Sequence, residues 1–171
     1  MNAKQAYPMP RSRLPDFALP SSEEGQRIDV SDYRGRRNLV VAFVGNPDRP
    51  PCRQLLSGLA QRYPEFVEEE TKVLVAVRGS VHEAAQIKAR YHLPFPVLAD
   101  EDGQVFQAFG ALTPYGAASM AVYITDRFGQ VYWGYRIDEG QSPPRVEEVL
   151  EWAHFIELQC PECGAPEWPA E

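Results

Sequence analysis

Cysteine, histidine and methionine are each scarce in this chain of 171 residues, with three of each. So few cysteines, two of them in Cys160-Pro-Glu-Cys163, do not make the disulfide framework of a small secreted domain. That usage points to redox or metal chemistry instead. Basic residues are outnumbered by acidic ones, 17 against 24, which leaves a net charge of −7. With no basic stripe to neutralise phosphates, nucleic acid is not expected as a partner. No apolar run approaches the length of a membrane span, so no membrane partner is expected either. The opening stretch MNAKQAYPMPRSRLPDF carries charges and prolines but no apolar centre, unlike a secretory signal; a cytoplasmic location is the default expectation. Neither a Gly-rich phosphate loop nor an HExxH pair occurs, so nucleotide and metalloprotease chemistry find no support.

What is present reads as one globular domain. Hydrophobic residues make up 44% and aromatics 11%, and the length suits a single substantial core. Asn38 to Val44, NLVVAFV, is a continuous apolar run that marks a central strand buried on both faces. Lys72 to Val77 is a second such strand. Ser80 and Glu83 form a capping box that opens a helix running to about Tyr91. Met120–Thr125 and Val131–Arg136 are strands joined through Asp126 and Gly129 as a hairpin. A last helix spans Arg145 to about Leu158. This order predicts an α/β fold, a central mixed sheet flanked by helices on both faces. The expected division is a flexible arm over residues 1–13, the domain over 14–158 and a Cys-Pro-Glu-Cys tail over 159–171.

The chain is organised around Phe43 to Tyr63, FVGNPDRPPCRQLLSGLAQRY. A strand end passes through a polar loop into an amphipathic helix, with Leu55, Leu56, Leu59, Tyr63 and Phe66 at helical spacing. Pro50 and Pro51 suit the first helical positions, where a missing N–H costs nothing. Cys52 follows in the first turn. Unpaired backbone N–H groups and the positive end of the helix dipole favour a thiolate there, and flanking Arg49 and Arg53 push the same way. A lone cysteine is more often a small buried hydrophobe; position and charge make Cys52 the candidate reactive thiol.

Ordered pieces of the sequence resemble the peroxiredoxin branch (alkyl hydroperoxide reductase and thiol-specific antioxidant type) of the thioredoxin-like proteins. They are Leu14-Pro15-Asp16-Phe17-Ala18-Leu19-Pro20, Val30 to Gly35, Leu93 to Asp100, Asp102-Gly103 through Phe109-Gly110, and Tyr123 to Asp126 with Gly129. The resemblance implies a thioredoxin-like fold and thiol-dependent reduction of hydroperoxides. It implies no required cofactor, and a thiol reductant such as a thioredoxin-like donor. In the family loop P-x-x-x-T-x-x-C the last residue is the peroxidatic cysteine, and Cys52 stands there. Arg49 occupies the Thr position, Gly45 the Pro position, and Met120 lies where the family Arg would fall. Against the W-C-P-P-C-R pattern of thiol–disulfide oxidoreductases, Arg49-Pro50-Pro51-Cys52-Arg53 matches with the first Cys replaced by Arg49. A protein disulfide as substrate is therefore the alternative activity, and a catalytically lapsed binding module the non-enzymatic one.

Peroxide reduction needs an ionised sulfur, donors for the peroxide oxygens and help for the leaving oxygen. Arg49 is expected to supply a guanidinium in place of the family's Thr and Arg, with Arg53 and first-turn N–H groups adding donors. The resulting sulfenic acid must be resolved by another thiol. Cys160 and Cys163 are the candidates, from the same chain or from a homodimer partner. The same pair also reads as half a zinc knuckle that His154 or a second chain would complete, or as an unpaired exposed pair. His82, His92 and Glu68 to Glu70 read as solvated positions.

Overall fold

The computed structural model describes residues 7–23, 25–137 and 142–159. Asn38–Val44 (β3) is the middle of the sheet, and all seven of its residues are buried. That is what an apolar run without alternation requires. A two-stranded hairpin of Ala18–Pro20 (β1) and Arg27–Asp29 (β2) precedes it, followed by a short helical turn over Val30–Tyr33. After β3 come two helices, Pro50–Gln61 (α1) and Tyr63–Glu68 (α2), then Thr71–Arg78 (β4), Val81–Arg90 (α3) and Val97–Asp100 (β5). Gln104–Ala108 (α4), the strands Ala121–Thr125 (β6) and Val131–Arg136 (β7), and Val146–Glu157 (α5) complete the chain. The break between α1 and α2 falls just before Pro64, which is the second residue of α2. The Ser80–Glu83 capping box is present with both of its bonds.

The five main strands are ordered β5-β4-β3-β6-β7. β3 runs parallel to β4 and β4 to β5, while β6 and β7 run antiparallel as a hairpin. The sheet is therefore mixed, as expected. Each face carries its own core. Leu55, Leu56 and Leu59 of α1, Phe66 of α2, Ala84 of α3 and Val149, Ala153 and Ile156 of α5 pack on one side. Phe106 of α4 and Phe109 pack with Leu14, Phe17 and Val30 on the other. Helices thus cover both faces, and no helix among the described residues is long and apolar enough to cross a membrane.

Two poles follow from this order. β3 begins at Asn38, whose side-chain amide donates to Glu157 Oε2 at the end of α5 (2.8 Å). It finishes at Val44, where the loop to Cys52 starts. Seven strand residues separate the poles by roughly 20 Å.

Candidate active site

Cys52 is the third residue of α1, after Pro50 and Pro51, with Arg49 as the helix cap in an extended conformation. No side chain caps this helix end. The loop before it is fixed by its own Asn46, whose Oδ1 accepts from Asp48 N (3.0 Å) and whose carbonyl accepts from Arg49 N (3.2 Å). The end of α3 and the residue after it clamp it from outside. Tyr91 donates its hydroxyl to Pro47 O (3.1 Å) and Asp48 Oδ1 (2.9 Å), and Arg90 pairs with the same carboxylate (2.9 Å). Tyr91 reads in the sequence as one more apolar residue of its helix. Only the fold reveals that it holds the cysteine loop.

The cysteine lies on the wall of a cleft of about 550 Å³, within the size range of small-molecule sites. Asn46, Arg49, Pro51 and Cys52 form one wall. The segment from Leu112 to Met120, with Ile137, forms the other. This second wall is a small hairpin: Leu112 and Ala118 bridge, Thr113 N donates to Ala117 O (2.8 Å), and Thr113 Oγ1 accepts from Ala117 N (3.1 Å). Ser119 N donates back to Ala111 O (2.8 Å). Sequence reasoning reads this stretch only as a loop; Gly116, at φ 79°, marks its turn.

The expectation of a thiolate at rest is corrected here. Cys52 is only 6% exposed and belongs to the core that includes Leu55 and Leu56. Burial pushes its thiol up from the ordinary value, because an ionised sulfur loses hydration there. The Asn46 backbone amide and the charge of Arg49 pull the other way and are outweighed. Of the two flanking arginines, Arg49 lines the cleft, whereas Arg53 is exposed and does not. Met120 does fall on the cleft wall, 2% exposed.

The remaining expectations lie elsewhere. His82 and His92 are outside the cleft, the former against Gln86 (3.2 Å). His154 Nδ1 pairs with Glu69 Oε1 (2.8 Å) at the Asn38 pole. Among the described residues no group of three or more His, Cys, Asp or Glu is arranged to hold a metal ion. Cys160 and Cys163, with the zinc and resolving roles read for them, fall outside the described residues.

A cysteine opening the helix that follows the central strand of a mixed sheet, beside an antiparallel hairpin, defines a thioredoxin-like redox protein. The sequence profile of the AhpC/TSA family matches residues 10–133, and the chain belongs to that family. It is similar to alkyl hydroperoxide reductase E of Mycobacterium tuberculosis (strain H37Rv), 26% identical over 145 residues, covering 83% of this chain and 92% of the relative. Peroxidoxin BcpB of the same organism superposes with a TM-score of 0.77 at 18% identity, over 88% of this chain and 99% of that one. Enterococcus faecalis AhpC superposes with a TM-score of 0.75 at 22% identity, over 87% and 94%. Family membership makes this a peroxiredoxin-like enzyme, and it favours thiol-dependent hydroperoxide reduction over the disulfide-exchange and binding-module alternatives.

Proposed function

We propose that Cys52 is the thiol through which this protein reduces hydroperoxides, with Arg49 as the donor to the peroxide oxygens. The observation that carries this reading is that a cysteine at the head of α1 and a guanidinium share one cleft, in a chain of the AhpC/TSA family. The ionised sulfur attacks one peroxide oxygen and the O–O bond breaks. The departing alkoxide takes a proton, leaving Cys52 as sulfenic acid and releasing the alcohol (water, for hydrogen peroxide). Arg49 stabilises the oxygen on which negative charge develops. Arg53 has no part in this step.

An incoming thiol then condenses with the sulfenic acid, releasing water and leaving a mixed disulfide. A second thiol restores Cys52 and carries away the disulfide. The proposed electron donor is a thioredoxin-like or small-molecule thiol, with Cys160 or Cys163, of the same chain or of a second copy in a homodimer, as the resolving alternative. No cofactor enters the proposed chemistry. The cytoplasm is the proposed location, since it keeps such thiols reduced.

The test is consumption of hydrogen peroxide and of cumene hydroperoxide by the reduced protein and by Cys52→Ser. The expected result is turnover by the first and a background rate for the second. Equal background rates for both would sink the reading.

A further inference from the structure

Gly45 follows the last residue of β3 and has no left-handed backbone conformation to account for it. Its reason is space. A Cβ placed there would fall on the carbonyl of Ala118 and 2.7 Å from the nitrogen of Ser119. Both atoms are backbone, so nothing short of moving the segment would relieve the overlap. The segment in question is the return strand of the Leu112–Ala118 hairpin, which leads directly to Met120 and forms the wall opposite Cys52.

We propose that Gly45 is a positioning residue: by lacking a side chain it seats the Leu112–Ala118 hairpin against the end of β3, as a roof that restricts access of peroxide and thiol to Cys52. Three observations converge on this. The roof rests on the core through Leu112 and Ala118, beside the buried Ala111. Its bonds run from Thr113 to Ala117, from Ser119 N to Ala111 O, and from Ser119 Oγ to Ile137 O (3.4 Å). Its tip is open to water, with Tyr115 90% exposed. Cys52, 6% exposed, lines the same cleft as the hairpin, so a shift of that wall changes what can reach the sulfur. A raised roof would hydrate the sulfur, ease its ionisation and admit bulkier reagents.

The inference rests on Cys52 as the reacting thiol, but its test does not require peroxide turnover. The full-length protein and Gly45→Ala are alkylated at Cys52 with iodoacetamide and with a bulky aryl maleimide across pH. Cys52 modification is followed by peptide mass, and folding is checked by circular dichroism. The expected result for Gly45→Ala is alkylation roughly tenfold faster at neutral pH, as for a thiol ionising about one pH unit lower. The gain should be larger with the bulky reagent, and the midpoint of the pH profile should move down. Thr113→Ala, which loosens the hairpin without touching Gly45, should move both readouts the same way by about threefold. It also serves as the test if Gly45→Ala does not fold. Rates and midpoints unchanged in whichever variant folds overturn the proposal. A wild-type protein that consumes no peroxide overturns the peroxidase reading and leaves this comparison intact.

Discussion

At the pole where β3 begins, polar groups are paired almost atom for atom. Asn38 is 1% exposed and gives its amide to Glu157. Arg127 reaches both oxygens of that same carboxylate at 3.2 Å, and Thr71 Oγ1 donates to Glu69 O at 2.8 Å. At the pole where β3 ends, Arg49 meets no carboxylate among the described residues, and the head of α1 has no capping side chain. There Cys52 shares an open cleft with the Leu112–Met120 segment. One end of the sheet is finished and the other is left with unspent donors and space. A reactive group needs partners that are still available, so stability is gathered at the end where no chemistry happens.

Arg49→Gln should break the contrast most sharply. The rate with peroxide should fall roughly a hundredfold, as for loss of a donor to a developing oxyanion. Unfolding in urea should stay within about 0.5 kcal/mol of the wild type, and Arg53→Gln should leave both quantities alone. Similar losses from the two arginines would show that overall charge, and not the cleft, is what matters. At the opposite pole Glu157→Ala leaves the buried Asn38 amide only its 3.4 Å bond to Glu69 O and takes away the partner of Arg127, and should cost about 2 kcal/mol in a denaturant melt. The rate of Cys52 alkylation should not change.

The pH dependence follows from burial. A thiol raised above its ordinary value is still mostly protonated at neutral pH. The rate should therefore climb about tenfold per pH unit through neutrality and keep rising beyond the region near 8.5 where a free cysteine levels off. A plateau below that region, seen in stopped-flow traces, would mean that Arg49 and the Asn46 amide prevail over burial. The smallest effect belongs to Tyr91→Phe, which removes the hydroxyl that holds Pro47 and Asp48. It should cost about 1 kcal/mol, with a severalfold change in peroxide rate. A stability loss with no change in rate would separate the clamp from the chemistry.

These differences also explain what the sequence disclosed. The Asn38–Val44 run, the Ser80–Glu83 box and the Asp126–Gly129 turn are local signals, and each became the element it predicted. The candidate cysteine was legible for the same reason: a helix start is written in neighbouring residues. The cleft beside it was not, because its other wall arrives from Leu112–Met120, far along the chain and without alternation or helical period. Arg49 and Arg53 look equivalent on either side of Cys52. They part because Arg49 is still extended, with φ −70° and ψ 139°, while Arg53 has joined the helix.

The N-terminal segment has a consequence for how copies of this protein behave at high concentration. Arg11 N donates to Val131 O (2.7 Å) and Leu14 N to Gly129 O (2.8 Å), along the outer rim of β7. On the far rim Ser22 N donates to Val97 O (2.7 Å), and Ser21 bridges Leu98 of β5. A single stretch of chain thus hems both margins of the sheet, occupying the hydrogen-bonding groups through which one sheet would template onto another. Trimming it would bare those margins to other copies and, because Leu14 and Phe17 go with it, open the core on that face as well.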